Sequence, residues 1–426
     1  MKTNLIILTL AAIMLVGCEN GPGTVKTLTL TEEEQVIKDQ QNEFSLDLLK
    51  RVNAQENGEN VVLSPMSVAV VCAMLANGAE GNTLTQILNT IGAQGYDIAD
   101  LNDYYQNLLT NLPRLDKYTD MKIADAIWVD DAYKVKDEFV KANKSYYKAT
   151  VDVADLANPA MAKVINSWAK KNTKGLIPEV VDETMFTEDT RMVLANAIYF
   201  MSKWASEFDK NATKQEDFTL ADGKSTSVSM MNKSSQLMVT PAYRYDGIQG
   251  PTPDTAITYY SARMLRLYFK DNAYCMDVVL PRKGINCDDY LADFDMDDLN
   301  WLQNKLSNYS VQVKLPKFTI KYHRDLEEDM SALGMTDVLN PALADLSGIT
   351  DEEELFLKKL FQDSYIAIEE EGVKAAAVTV GIVAPNAAEP TPSVEPFIVD
   401  RPFLLFIREA KYGTILFAAK IGNPSK

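Results

Sequence analysis

Apolar residues recur at three- and four-residue spacing in the first part of the chain, and this spacing predicts amphipathic helices. Segments with this pattern are 34–53, 83–91, 99–112 and 161–173. Residues 68–76 are apolar almost all round, which is typical of a buried helix. Ser64 and Pro65 precede that run, so we expect Ser64 to cap the helix and Pro65 to occupy its first turn.

Strand-like runs dominate the later part of the chain. They are rich in β-branched and aromatic residues and cover 122–129, 192–200, 264–268, 275–280, 309–316, 404–407 and 415–421, while 322–333 returns to a helical pattern. Helices concentrated first and strands later predict an α+β fold with helices packed on large mixed sheets. No composition shift divides residues 34–426, so we expect one domain there.

A segment near the C-terminus combines two incompatible characters. Residues 373–383 contain no proline and one charge, whereas residues 384–396 contain four prolines, which keep a segment extended and out of a sheet. With period two, one face of the first half is small or β-branched throughout: Val373, Ala375, Ala377, Thr379, Gly381 and Val383. A strand over 373–384 would span roughly 40 Å. The pattern from about 370 to 396 predicts a segment that can join a sheet as an additional strand, followed by an exposed loop that attracts a partner. The alternative is a static edge strand followed by a surface loop. The preceding run Glu369–Glu371 is interpreted as a solvated charge run.

The N-terminus predicts a lipoprotein signal. Residues 1–17 place Lys2 before an apolar stretch too short to span a membrane, and the stretch ends at Leu15-Val16-Gly17-Cys18. We expect lipidation at Cys18, a tether over 18–33, and anchoring to a bacterial envelope, at the outer membrane or cell surface. The alternative is an ordinary signal peptide with a chance cysteine. Contact with the membrane is then expected only through the lipid.

Net charge and cysteine content limit the expected classes of binding partner and the expected disulfide bonds. The net charge of −18 argues against nucleic acid or an anionic membrane surface as a partner. Cys72, Cys275 and Cys287 are too few and odd in number for a disulfide framework, although Cys275 and Cys287 could pair.

Catalytic motifs are missing from the sequence. His323 is the only histidine, at a polar strand-to-helix junction typical of a surface residue, and metal-binding His/Cys clusters, a GxSxG elbow and a Walker loop are absent. We therefore expect no enzyme activity, no metal and no cofactor.

Seven sequence blocks in one order resemble the serpin family and cover nearly the whole chain after residue 34. They are 60–67, 172–177, 194–200 with Lys203-Trp204 and Phe208, 315–318, 333–335, 345–349, and 397–407 around Asp400-Arg401-Pro402-Phe403.

This resemblance implies a monomeric inhibitor whose exposed loop is cut by a target protease. The freed loop inserts into the main sheet while the protease is still an acyl-enzyme. The implied hinge residues are Glu370, Gly372, Val373, Ala375, Ala376, Ala377 and Thr379. The implied shutter and breach residues are Ser64, Ser67, Asn196 and Trp204, with Gln362 at the position where the family usually has histidine. Lys374 and Val378 also depart from the family, which usually has an acidic residue and alanine there.

The family's usual spacing places the cleaved bond at about Asn386–Ala387, with Ala388, Val383 and Ala384 as alternatives. No arginine or lysine lies between Val380 and Asp400, so a protease that needs a cationic residue is disfavoured. Small residues suit an elastase-like serine protease. A papain-like cysteine protease is the next candidate, and a non-inhibitory serpin-fold binding protein is the alternative function.

Overall fold

The structure, a computed structural model, describes residues 27–56, 58–241, 243–245, 257–352, 355–373 and 395–426. The helices in these ranges are α1 (Glu32–Asn53), α2 (Pro65–Ala76), α3 (Gly81–Thr90), α4 (Ile98–Asn111), α5 (Asp137–Ala142), α6 (Met161–Asn172), α7 (Cys287–Asp293), α8 (Met296–Asn304) and α9 (Glu327–Ala332). Helix α1 begins in a capping box, because the Thr31 hydroxyl accepts from the Glu34 N–H while the Glu34 carboxylate accepts from the Thr31 N–H.

The strands form two large sheets. In chain order they are β1 (Val61–Leu63), β2 (Asp120–Asp130), β3 (Thr150–Ala154), β4 (Met192–Lys203), β5 (Lys214–Thr219), β6 (Ser225–Val239), β7 (Tyr243–Tyr245), β8 (Ile257–Tyr259), β9 (Ala262–Tyr268), β10 (Tyr274–Pro281), β11 (Ser307–Pro316), β12 (Phe318–Asp325), β13 (Lys359–Glu369), β14 (Gly372–Val373), β15 (Phe397–Ile398), β16 (Phe403–Glu409) and β17 (Ile415–Ile421).

The six-stranded sheet has the order β12-β13-β14-β4-β2-β3. Its β13–β4 and β2–β3 pairs are parallel, and its other pairs are antiparallel. The nine-stranded sheet has the order β1-β17-β16-β10-β9-β6-β11-β15, with β5 on β6, while β7 and β8 form a separate hairpin. The predicted α+β architecture with mixed sheets is therefore confirmed.

The two faces of the six-stranded sheet pack differently. On the inner face, Leu194 and Ile198 of β4 join the main core together with α2, every residue of which is buried. On the outer face, Val193 and Ala195 pack beneath Ile165 and other apolar residues of α6. Alternate residues of β4 therefore belong to different cores, as the pleat of a strand requires.

One predicted element is wrong in part. Residues 322–333 were expected to be helical, but β12 continues to Asp325 and α9 covers only Glu327–Ala332. Strand β12 pairs only with β13 in the described part of the chain, so it lies at a sheet edge, where polar side chains are tolerated. That polarity obscured the strand pattern. None of the described helices has the length and apolar character needed to cross a membrane.

Candidate functional site

The six-stranded sheet is open at one end and closed at the other. In the closed part, β13 pairs directly with β4 in parallel through seven residue pairs, from Lys359↔Val193 to Tyr365↔Tyr199. In the open part, β14 lies between the same two strands, and Val373 is opposite both Ile368 and Ser202. Val373 is buried, so the chain before the loop lies inside the sheet up to this residue.

Gly372 permits this arrangement. Its φ of +152° lies in a region that residues with a side chain rarely adopt. A Cβ atom at this position would also lie 2.0 Å from the carbonyl oxygen of Ser202. Glycine therefore satisfies both a dihedral and a steric requirement where the chain enters the space between β13 and β4.

Trp204 and its neighbours hold the turn that precedes β14. The Trp204 indole N–H donates to the Glu369 carbonyl at 2.9 Å, and its backbone N–H donates to the Glu371 carbonyl at 3.0 Å. The Phe208 N–H donates to the Glu370 carbonyl at 2.9 Å. The backbone carbonyls of Glu369, Glu370 and Glu371 therefore all accept hydrogen bonds from residues that follow β4 in the chain.

The Trp204 ring is fixed by a second aromatic ring. It stacks on Phe269 with centroids 4.7 Å apart and an interplanar angle of 11°. Only 1% of Trp204 is exposed, so the hydrogen bond of the indole is largely shielded from water. Such a bond is expected to hold the turn more firmly than an exposed one.

The acidic run before the hinge was interpreted as solvated, and this is wrong for Glu370, which is buried. Glu369 and Glu371 are half-buried. Glu370 is 5% exposed and accepts from Lys317 at 3.0 Å and from Thr213 at 2.8 Å. Burial raises the pKa of Glu370, but the hydrogen bonds from Lys317 and Thr213 outweigh it and leave the pKa below its usual value. Glu371 forms an ion pair with Lys210. The run therefore anchors the start of the loop.

A buried polar chain lies beneath the closed part of the sheet. The Gln362 amide donates to the Asn196 Oδ1 and to the Ser64 carbonyl, both at 2.9 Å, and accepts from the Ser64 N–H at 2.8 Å. The Asn196 amide donates to Asp125 at 2.6 Å. This chain links β2, β4 and β13 to the entry of α2, so separating β13 from β4 requires breaking its Gln362–Asn196 bond.

The two serines assigned to this region differ in their contacts. Ser64 stands at the N-cap position of α2, as expected, but its hydroxyl donates to the Leu416 carbonyl at 2.7 Å instead of capping the helix. The Ser67 hydroxyl is buried without a hydrogen-bond partner in the described chain. Ser64 therefore ties α2 to β17.

Sequence reasoning missed Asp125. It is a charged residue on the inner face of β2, within an otherwise apolar run from Ile123 to Val129. Burial raises its pKa to about 7, although the hydrogen bond from Asn196 acts in the opposite direction. The sequence does contain a signal that could have identified Asp125, because a carboxylate in the middle of an apolar strand is unusual.

The other candidates for chemistry are His323, Cys275 and Cys287. His323 contacts Asp363 at 3.1 Å and Asp325 at 3.6 Å, and hydrogen bonds to Asp325 and Asp363 raise its pKa to about 10. The raised pKa favours the protonated form of His323 at neutral pH, and in that form the ring cannot act as a general base. Cys275 and Cys287 are free, and burial raises the pKa of each to about 12, which makes them inert thiols. No group of metal-binding side chains occurs in the described ranges.

The far end of the loop returns to the other sheet. Arg263 donates to the carbonyls of Glu395 and Pro396, and its guanidinium lies over the Phe397 ring, 5.2 Å from the centroid. Strand β15 then pairs in parallel with β11. The expected hinge residues Ala375, Ala376, Ala377 and Thr379, the bond candidates Val383, Ala384, Asn386, Ala387 and Ala388, and Cys18 all lie outside the described residues.

Comparisons with known proteins agree on one family. A family model described as "Serpin (serine protease inhibitor)" matches residues 39–424. The leukocyte elastase inhibitor of Xenopus tropicalis is 30% identical, and the match covers 89% of this chain and 97% of that protein.

Solved structures give the same result. The thermophilic serpin tengpin in its native state matches with a TM-score of 0.79 and 25% identity, over 94% of this chain and 97% of that one. Human thyroxine-binding globulin with its bound hormone shares the fold, with a TM-score of 0.79 and 24% identity, over 92% of this chain and 100% of that one.

Proposed function

The chain belongs to the serpin family, and from that premise we propose that it inhibits serine proteases, with an elastase-like enzyme as target. In the proposed reaction, the protease cleaves the segment between β14 and β15 and remains joined to its upstream end as an acyl-enzyme. The upstream segment then inserts between β13 and β4 and carries the protease with it before water completes the hydrolysis.

The observation that carries this proposal is the position of β14. It is antiparallel to both β13 and β4 and already occupies the strand position that insertion would extend. Continued insertion replaces one parallel pairing by two antiparallel ones, which are slightly more stable per residue. Where β13 now pairs directly with β4, an inserted strand would therefore form backbone hydrogen bonds with both of them.

The register of β14 predicts where the inserted residues would lie. Val373 is opposite Ile368 and Ser202, and each later residue moves one position back on both strands. Ala376 would then lie opposite Tyr365 and Tyr199, and Ile382 opposite Lys359 and Val193. These are the two ends of the directly paired stretch, so seven residues would fill seven pairs.

The same register assigns a face to each side chain. Residues opposite each other in a sheet share a face, so Ala375, Ala377, Thr379 and Gly381 would point to the inner face. Thr379 would lie between Asn196 and Gln362, at the buried polar chain. A hydroxyl there can replace the amide contact that is lost when β13 and β4 separate.

Substitution of Thr379 tests both the function and the register. We expect the unmodified protein mixed with pancreatic elastase to give a covalent complex on denaturing electrophoresis. Thr379→Asp would put a carboxylate close to Asp125 on the buried face, so insertion should stop and the protein should be cut as a simple substrate. The stoichiometry of inhibition should rise at least tenfold.

The matched control is Ser393→Asp, which adds the same charge downstream of the predicted inserted segment. It should form as much complex as the unmodified protein. If Thr379→Asp also forms normal complex, the predicted register is wrong. If the unmodified protein forms no complex with any of a panel of serine proteases, the inhibitory function is wrong.

We propose Asn386–Ala387 or Ala387–Ala388 as the cleaved bond. The absence of arginine and lysine between Val380 and Asp400 supports a pocket that accepts small residues. Mass spectrometry of the released C-terminal fragment locates the bond, and a cut outside 383–391 would contradict this placement.

One observation favours a non-inhibitory binding protein as second candidate. The register of β14 would place Lys374 between Met201 and Ala367 on the outer face, and Ala367 is fully buried. Burying the ammonium there opposes insertion. In that case elastase would nick the loop without forming a covalent complex, whereas Lys374→Ala, which removes the charge, should allow the complex to form.

We further propose that the mature protein is anchored to a bacterial envelope through lipid on Cys18. The support is the sequence Leu15-Val16-Gly17-Cys18 at the end of an apolar run. Metabolic labelling with a tagged fatty acid should mark the protein, and Cys18→Ala should release it into the soluble fraction. Membrane retention of Cys18→Ala would contradict the assignment.

A further inference from the structure

A cavity of about 410 Å³ lies beside the turn that holds the start of the loop. Its wall includes Trp204, Ser206, Lys233, Arg266, Tyr268 and Asn272. Among the residues that the structure describes, the lining contains two cationic side chains and no carboxylate, in a chain with a net charge of −18. Its size is in the range of small-molecule sites in proteins.

Lys233 has no anionic partner within the described ranges. Its ammonium donates to the Ser206 carbonyl at 2.6 Å and lies 4.3 Å from the centroid of the Phe208 ring. Burial lowers the pKa of Lys233 to about 8. The charged form is thus held in a partly desolvated place that an anion would stabilise.

The second cation belongs to a cluster with excess positive charge. Arg266 donates to both oxygens of Asp277, at 2.6 and 2.7 Å, and Arg408 donates to the same carboxylate at 3.3 Å. Asp277 is fully buried. Two guanidinium groups therefore share one carboxylate, so these three side chains together carry a net positive charge behind the wall formed by Arg266.

The cavity also adjoins the structure that positions the loop. Trp204 forms part of its wall while holding the carbonyls of Glu369 and Glu371, and Lys233 lies on Phe208, which holds the Glu370 carbonyl. A ligand that fixed Lys233 and Trp204 would therefore brace the whole turn.

We propose that this cavity binds a small polyanion, with phosphate or carboxylate groups directed at Lys233 and at the guanidinium of Arg266. Both cations bind such groups through charge-assisted hydrogen bonds. The site is independent of the inhibitory function and would be present in a non-inhibitory serpin as well.

Isothermal titration calorimetry at low ionic strength tests the proposal with pyrophosphate and tricarballylate as probes, and glycerol as an uncharged control. We expect saturable one-to-one binding of at least one probe and none of glycerol. Binding of pyrophosphate alone assigns a phosphate ligand, and binding of tricarballylate alone assigns a carboxylate ligand. The absence of saturable binding of both would overturn the proposal.

Substitution of Lys233 tests whether the probe binds in this cavity or at another cationic surface. Lys233→Met should weaken the bound probe at least tenfold, whereas Lys233→Arg, which keeps the charge, should largely restore binding. The matched control is Lys224→Met, at an exposed lysine outside the cavity, and it should change the affinity less than twofold. If Lys233→Met does not fold, Lys233→Gln provides the same comparison. A neutral variant that binds as tightly as the unmodified protein would overturn the assignment.

Discussion

The buried carboxylate of Asp125 predicts an unusual pH dependence of stability. Asp125 is 5% exposed and accepts a hydrogen bond from Asn196. Burial raises its pKa from 3.8 to about 7. Between these two values the folded protein holds a proton on Asp125 that the unfolded chain has released.

This difference in bound protons determines how the stability of the protein changes with pH. The unfolded chain binds fewer protons than the folded chain between about pH 4 and pH 7, so the contribution of Asp125 to stability falls as the pH rises through that window. Above pH 7 the full cost of a buried charge remains. A difference of about three pH units corresponds to about 4 kcal/mol, at 1.36 kcal/mol per unit, which is an upper limit.

Asp125→Asn removes the charge and keeps the shape, and its amide oxygen can still accept from Asn196. We expect the variant and the unmodified protein to have similar free energies of unfolding at pH 4. At pH 8.5 the variant should be more stable, by about 2–4 kcal/mol. Urea denaturation followed by circular dichroism at both pH values measures this difference.

The matched control is Asp222→Asn, at an exposed position beside Lys224. Its difference from the unmodified protein should not vary between pH 5 and pH 8.5, since hydrogen bonds and the charge of Lys224 hold the pKa of Asp222 below its usual value. If the advantage of Asp125→Asn is the same at pH 4 and pH 8.5, the carboxyl group is not neutral in the folded protein at low pH, and its pKa is not raised as expected.

Three further predictions concern the hinge and its supports. Protein nicked in the loop should melt at least 5 °C above intact protein in differential scanning calorimetry, because insertion replaces one parallel ladder by two antiparallel ones. Equal melting temperatures would contradict insertion. Gly372→Ala should lower the melting temperature and increase proteolysis at the hinge, because its Cβ would meet the Ser202 carbonyl oxygen at 2.0 Å. Gly95 also has a positive φ, but the space around it is open. Gly95→Ala should therefore lower the free energy of unfolding by only about 1 kcal/mol. Trp204→Phe should cost about 1–3 kcal/mol in urea denaturation by leaving the Glu369 carbonyl unpaired, whereas Trp301→Phe, at a residue that is 41% exposed, should cost less than about 0.5 kcal/mol.

Much of the fold was predictable because the signals are local. Helical periodicity predicted 161–173, and the structure places α6 at Met161–Asn172; the apolar run at 192–200 became the central strand β4. The prediction failed at 322–325, where the end of an edge strand carries three consecutive polar residues, His323, Arg324 and Asp325. Local pattern gave no information there about which face would be covered.

The site was predictable only in its separate parts. Gly372, Trp204, Asn196 and Gln362 were identifiable as residues, but their hydrogen bonds were not. Glu370 was interpreted as solvated because three consecutive acidic residues usually are, whereas Lys317 and Thr213 bury it. Both partners are distant in sequence, and no local rule connects them.

The order of small and proline-rich residues after Glu371 was by itself enough to predict a segment able to become a strand. Only the tertiary structure decided that β14 already lies between β13 and β4, that Asp125 meets Asn196, and that Lys233 and Arg266 line one cavity. The physical reason is that periodicity fixes which side of an element is apolar, whereas the neighbours across a sheet depend on a register between strands far apart in the chain.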